Sequence, residues 1–200
     1  MNRQASDAAA RFGDSLPTIV AGRVRLRWLE EGDVPALYEI FRDPEVMRYW
    51  SRPPYADVAE ARALLEQIHG CFREGSLFEW GLCLQDDPRV IGTATLSHLD
   101  FANGRAEIGY SQARASWGNG YVREALGALL DWAFGDLGLR RIEADVDPRN
   151  AASIRTLERL GFVREGYLRE RWNVAGEVQD ALLYGLLARE WALQRSGAAG

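Results

Sequence analysis

Ile108-Gly109-Tyr110 followed by Ala115-Ser116-Trp117-Gly118-Asn119-Gly120-Tyr121, with an apolar-periodic segment directly after, is the part of this 200-residue sequence best suited to hold a ligand. A strand, a glycine-bearing loop and a helix start make an anion site, because the free N–H groups of the first helical turn and the helix dipole both point at the loop. Glycines at 118 and 120 permit close backbone approach and unusual dihedral angles. Gly109 inside a strand marks either a bulge or a ligand passing close by. The implied guest is a phosphate-bearing cofactor, and the loop alone does not say which.

Composition narrows the choice. All 24 basic side chains are arginine, which removes Schiff-base chemistry and the phosphate-loop lysine of nucleotide hydrolases. A dinucleotide-binding oxidoreductase fits poorly, since the glycine loop lies after several strands and lacks the full spaced fingerprint. Cys71, Cys83, His69 and His98 match no closely spaced zinc pattern, so no metal site is expected, and His69 and Cys71 read as helix-end residues. The net charge of −5 gives no pull toward nucleic acid or an anionic membrane and favours a neutral or cationic acceptor. No run approaches the roughly 20 apolar residues of a membrane span, and the simplest reading is a soluble cytoplasmic protein with reduced thiols.

The elements that must position the loop can be read from period and punctuation. Residues 1–21 lack a sustained period and read as a poorly ordered leader, residues 22–195 as a single domain, and residues 196–200 as a tail. Arg23 to Leu29 alternates as a half-buried strand, with arginines 23, 25 and 27 on a solvated face. Asp33-Val34-Pro35 starts a helix through about Phe41, with Asp33 as its cap, and a second helix spans about Asp57 to Glu74. Between them the segment Tyr49 to Tyr55, stiffened by Pro53 and Pro54, suits a binding wall.

Leu77 to Leu84, Val90 to Leu99 and Arg105 to Ser111 form an antiparallel meander, turned at Asp86-Asp87-Pro88 and Ala102-Asn103-Gly104. A helix from about Gly120 to Leu137 and a strand from Arg141 to Asp147 imply a right-handed crossover between parallel neighbours. A short helix from about Asn150 to Leu160 follows, with Asn150 or Asp147 as cap, and Phe162 to Trp172 and Val178 to Leu187 close the domain as a hairpin. The expected fold class is α/β, a mixed sheet with helices on both faces.

Glu107-Ile108-Gly109-Tyr110, Trp117-Gly118-Asn119-Gly120-Tyr121 and Asp147-Pro148-Arg149-Asn150-Ala151-Ala152-Ser153-Ile154, continued by Leu157-Glu158-Arg159-Leu160-Gly161-Phe162, occur as one ordered set. Together they resemble the GNAT superfamily of acetyl-CoA-dependent N-acetyltransferases, and within it the ribosomal-protein alanine and serine N-terminal acetyltransferases, over Arg23 to Trp191. The resemblance implies a mostly antiparallel sheet splayed between its fourth and fifth strands. Coenzyme A would then lie with its pantetheine arm along Ile108 to Tyr110 and its pyrophosphate on backbone N–H groups from Ala115 through Trp117, Gly118, Asn119 and Gly120 to Tyr121. One departure is Ala115, where the family usually carries Gln or Arg, so the loop keeps its backbone donors but loses a side-chain contact. Arg114 beside it is either a substitute or an ordinary surface arginine.

The same resemblance points to chemistry. An α-amine with a pKa near ~8 is mostly protonated at neutral pH and must give up a proton before it attacks a thioester. Glu107 is the candidate general base, directly or through a water, against the plain alternative of a cross-strand ion pair with an arginine. A backbone N–H at Ile108 to Tyr110 would meet the charge developing on the carbonyl oxygen. The helix after the fifth strand lacks the tyrosine many members use; Ser153 is the hydroxyl at a family-matching position beside the coenzyme sulfur, or merely satisfies its own helix turn. Asn150 contacts the cofactor or only caps the helix.

Trp50, Tyr55, Trp80 and Trp172 are candidates for the acceptor side, each of which could equally be core. Trp117 is expected to pack beneath the phosphate loop. The acceptor would be a small-molecule amine or a peptide N-terminal amine, and pairing into a homodimer through an edge strand or C-terminal element is compatible with the resemblance. A non-catalytic acyl-CoA-binding module is the alternative, motivated by Ala115 and the missing tyrosine.

Overall fold

Alternation along the meander is realised as a sheet of eight strands, and the structure, a computed structural model, describes residues 11–197. The strands are β1 (Ile19–Ala21), β2 (Val24–Arg27), β3 (Leu77–Leu84), β4 (Val90–Asp100), β5 (Arg105–Gln112), β6 (Arg141–Val146), β7 (Val163–Val174) and β8 (Glu177–Leu187), ordered β1-β2-β3-β4-β5-β6-β8-β7. Among the described strands only β5 and β6 run parallel, as the crossover through the intervening helix requires. The helices are α1 (Val34–Phe41), α2 (Pro44–Met47), α3 (Val58–Glu74), α4 (Tyr121–Gly135), α5 (Ala151–Arg159) and α6 (Ala188–Gly197). No helix among the described residues is long and apolar enough to cross a membrane.

Period two sorts each strand between two apolar layers. Phe78, Trp80 and Leu82 of β3 join Ala94 and Leu96 of β4 against Leu126, Leu129, Leu130 and Trp132 of α4. The opposite face is covered by α1, α2 and α3, where Leu37, Ile40, Phe41, Leu65 and Ile68 gather around Leu29, Cys83 and Val90. Local signals set the helix ends: Asp57 accepts from the N–H groups of Ala59 and Glu60 at the start of α3, and Gly75 closes it in the left-handed region.

Several expectations need correction. Residues 11–21 are not a poorly ordered leader: Phe12 packs on Phe78 and Trp132, Leu16 is buried, and Ile19–Ala21 pairs with β2, so a short run without a period is held by nonlocal contacts. Residues 1–10 lie outside the described residues. At the other end Ser196 belongs to α6, a helix anchored by Trp191, and residues 198–200 lie outside the described residues. Asp33 does not cap α1 with its side chain; its carboxylate takes the Arg27 guanidinium on both oxygens and the Glu30 N–H. The face carrying arginines 23, 25 and 27 is accordingly only half solvated.

Candidate active site

Pairing between β5 and β6 lasts for Arg105↔Arg141, Ala106↔Ile142 and Glu107↔Glu143 and then stops. Beyond that point β5 stays with β4 through Gly109↔Thr95 and Tyr110↔Ala94, while β6 stays with β8 through Ala144↔Tyr184 and Asp145↔Leu183. The backbone groups of Ile108-Gly109-Tyr110 that face β6 therefore meet no strand among the described residues. A cavity of about 300 Å³ fills the gap, lined by Glu107 to Tyr110 on one side and Ala144 to Asp147 on the other. The splay expected between the fourth and fifth strands is thus present, as β5 and β6, because β1 adds a strand ahead of the count.

Gly109 is in continuous register with β4, the bulge lying instead between Ser97 and Asp100. A Cβ added at Gly109 would meet only the Thr95 Cβ at 3.8 Å, an ordinary contact, so the protein itself does not demand glycine here. Of the two readings of this glycine, close approach of a ligand survives and the bulge does not.

Alternation places Glu107 and Gly109 on the α1–α3 side of β5, and Ile108 and Tyr110 on the α4–α5 side. Glu107 is one-third exposed, with the His98 imidazole 3.6 Å from its carboxylate. Burial pushes its carboxyl above the usual carboxylate range, opposed by His98 and Arg171 and reinforced by Asp145 and Glu143. The arginine pair expected as its alternative role is not formed among the described residues; the neighbouring arginines 105 and 141 both go to Glu143.

On the opposite wall Asn150 caps α5, its Oδ1 accepting the Ser153 N–H at 3.1 Å. That cap aims the first turn of α5 at the opening, and the Ser153 Oγ lies 2.6 Å from the Tyr110 hydroxyl. Burial pushes the Tyr110 phenol up to about 12. The sequence reading used only the backbone of Tyr110; its hydroxyl was missed because the contact spans 43 positions along the chain.

The loop after β5 makes a single 3₁₀ turn, Arg114–Ser116, and enters α4 through Gly120 at φ 79°, with no side-chain cap. The N–H groups of Gly118 and Gly120 meet no protein acceptor among the described residues. A Cβ on Gly118 would touch nothing within 4 Å, so the loop is open to a ligand. Its shape is held from behind, where the Asn119 side chain donates to the carbonyls of Ser116 and Trp117, and Arg23 donates to the Asn119 carbonyl. Arg23 lies over the Tyr121 ring. Ala115 is exposed. Arg114 does not stand in for the missing side chain, being paired with Asp43 at 3.2 Å. Trp117 is not beneath the loop: it is 45% exposed, and its indole N–H donates to the Gln112 carbonyl.

The four acceptor-side aromatics separate cleanly. Trp50 and Trp172 line the cavity, the latter donating its indole N–H to Asp145. Trp80 is fully buried against Trp132 on the α4 side and donates to the Pro17 carbonyl. Tyr55 is buried on Phe41, beneath the Arg52 guanidinium, and is core as well. Sequence reasoning also missed Asp145, which the alternation Arg141, Glu143, Asp145 puts on the Glu107 side of the opening. His98, bulged out of β4 at φ 50°, was considered only as a metal ligand.

Comparison with known proteins agrees with this geometry. The family described as "Acetyltransferase (GNAT) domain" matches residues 23–163. The N-acetyltransferase p20 of Bacillus licheniformis is 38% identical over 177 residues, covering 88% of this chain and 99% of that protein. The ribosomal protein uS5-alanine N-acetyltransferase of Escherichia coli is 32% identical, covering 65% of this chain and 68% of its own length. Among solved structures, spermidine N-acetyltransferase from Vibrio cholerae, in complex with CoA and spermine, superposes with a TM-score of 0.76 at 25% identity, over 85% of this chain and 98% of that one.

Proposed function

Because the chain belongs to the GNAT family of acetyl-CoA-dependent N-acetyltransferases, we propose that it transfers acetyl to a primary amine by direct attack within the β5/β6 opening, with Glu107 as the proton acceptor. The supporting observation is the place where strand pairing ends, which leaves the edge of β5 open beside a half-buried carboxylate that has no arginine partner among the described residues.

Acetyl-CoA, when bound, supplies an activated acyl carbon and a sulfur leaving group. The residues present fit it: the open edge of β5 suits the amides of an extended arm, and the uncapped N–H groups at Gly118, Gly120 and the first turn of α4 suit a pyrophosphate. Ala115 contributes only backbone to that loop. Glu107 takes the proton of the attacking amine, and its raised carboxyl pKa brings it nearer to neutrality, where a general base works best. Such a base contributes on the order of 10²–10⁴-fold. An N–H of Ile108, Gly109 or Tyr110 on the β6-facing edge meets the charge developing on the carbonyl oxygen. Asn150 and Ser153 serve the sulfur side; Trp50 and Trp172 wall the amine side.

The acceptor is a protein N-terminal amine or a small-molecule amine. The names of the Escherichia coli and Vibrio cholerae relatives put N-terminal alanine peptides and polyamines first among candidates. The setting we infer is a reducing one, the cytoplasm, where Cys71 and Cys83 remain free thiols. The deciding experiment incubates the protein with acetyl-CoA and a panel of N-terminal Ala and Ser peptides, polyamines, amino acids and aminoglycosides, with mass spectrometry of the products. An acetylated amine with matching thiol release is expected. Coenzyme binding with no acetylated product on any acceptor would replace the enzyme by a binding module.

A further inference from the structure

Two hydroxyls meet on the α5 side of the opening, and only one of them has its proton accounted for. Tyr110 Oη lies 2.6 Å from Ser153 Oγ and 3.4 Å from the Ser153 carbonyl. The buried phenol, raised to about 12, keeps its proton and has to donate it. Both acceptors within reach belong to Ser153, and the hydroxyl oxygen is much the nearer. A serine in a helix commonly donates back to the carbonyl four residues earlier, as Thr156 and Ser196 do here. Ser153 makes no such bond. With its oxygen accepting from Tyr110, its own proton has no acceptor among the described residues and is free to be donated into the cavity that both side chains line.

We propose that Tyr110 is a positioning residue that fixes the Ser153 hydroxyl as a hydrogen-bond donor to the leaving sulfur, which departs as a thiolate without taking a proton from the protein. This rests on the donor-site reading above. Passing a proton from Tyr110 through Ser153 to sulfur would run from an acid at about 12 to a thiolate whose acid lies near about 8.5, uphill by more than three powers of ten. A hydrogen bond needs no such transfer and strengthens as charge collects on sulfur, so it favours the transition state over the neutral thioester. The balance is complete without a protein acid: the C–N bond forms, the C–S bond breaks with its electron pair on sulfur, and the amine proton goes to Glu107. Solvent protonates the thiolate afterwards.

The test is a titration of coenzyme A bound to the full chain, following the ultraviolet absorbance of its thiolate in the wild type, Tyr110→Phe, Ser153→Ala and the double variant. In the wild type the bound thiol should ionise about one pH unit below free coenzyme A. The shift should shrink in Tyr110→Phe, vanish in Ser153→Ala, and be no smaller in the double variant than in Ser153→Ala alone, since Tyr110 acts through Ser153. Acetyl transfer by Tyr110→Phe should show kcat reduced about tenfold at unchanged KM for acetyl-CoA. The phenylalanine keeps the ring and its packing, and an unchanged melting curve verifies the fold. A bound thiol that ionises like the free one, or a Tyr110→Phe titration matching the wild type, overturns the proposal. So does a double variant measurably worse than Ser153→Ala, which would put Tyr110 directly on the sulfur. Failure of the wild type to bind coenzyme A in calorimetry would overturn the donor site itself and this inference with it.

Discussion

Glu107 and Glu143 stand opposite each other at the last paired position of β5 and β6, yet they meet different surroundings. Glu143 holds Arg105 at 3.2 Å and Arg141 at 2.7 Å. Among the described residues Glu107 has only His98, at 3.6 Å, and it opens onto the cavity. Two identical side chains at one register position are thereby divided into one held by two arginines and one facing the cavity. The arginines that would have neutralised the pair both lie on the closed side of the fork.

Glu107→Gln therefore removes a proton acceptor without breaking an arginine pair. Turnover with any accepted amine should fall on the order of 10²–10⁴-fold, while calorimetry shows coenzyme A binding essentially unchanged. In the wild type, activity should fall as pH drops through the Glu107 carboxyl, because the protonated form cannot accept. Burial sets that limb above the usual carboxylate range. The Gln variant should lose the limb, and a limb that persists in it would assign the base elsewhere.

Gly109→Val tests whether the open edge of β5 receives the donor. Valine suits a strand, and its Cβ would meet nothing closer than Thr95 at 3.8 Å. The melting temperature should barely move. Coenzyme A affinity should drop at least about tenfold as the branched side chain fills the fork, a loss of about 1.4 kcal/mol or more. Unchanged affinity would mean that the arm does not pass this residue.

Trp172→Ala and Trp80→Ala should separate binding from stability. Trp172 is 38% exposed on the cavity wall, so its truncation should raise the acceptor KM with little change in the denaturation midpoint. Trp80 is wholly buried against Trp132 and Phe78, and its removal should destabilise the fold by about 3–5 kcal/mol. Comparable denaturation midpoints for the two variants would contradict the placement of Trp80.

That contrast shows where the sequence stopped being legible. The loop at Gly118 and Gly120, the Asn150 cap and the alternation through Glu107, Gly109 and Tyr110 are local, and spacing alone exposes them. Trp80 was ambiguous because β3 is covered on both faces, so neighbours such as Leu77 and Cys83 are as apolar as Phe78 and Leu82, and period two loses its contrast. Tyr55 sits in a proline-flanked segment that looks exposed, but its ring folds back onto Phe41. β1 is three residues long, too short to register a period, and α6 buries only Trp191, leaving no apolar stripe to detect. The Tyr110 and Ser153 contact joins a strand to a helix across a whole crossover, and only the fold brings it together.

Glu79 lies buried on the α1–α3 side, with no cation paired to it among the described residues. The neighbouring Thr93 and Thr95 hydroxyls favour its charged form, but burial dominates and pushes the carboxyl from its ordinary 4.5 to about 7. The folded state therefore binds this proton more tightly than the unfolded chain does. Between about pH 4.5 and 7 the folded protein holds more protons, so stability contributed by Glu79 is present at low pH and is lost as pH rises through that window. The shift corresponds to a ceiling of about 3 kcal/mol, fully lost above pH 7. Glu79→Gln keeps an oxygen for the threonine hydroxyls and has nothing to ionise. Urea midpoints of the two proteins should converge near about pH 4.5 and diverge with rising pH, the Gln variant becoming the more stable by up to about 3 kcal/mol near pH 8. Other carboxylates titrate equally in both proteins, so the difference between the two curves isolates this residue. A difference that stays constant from about pH 4.5 to 8 would mean that Glu79 ionises in the fold as it does in water.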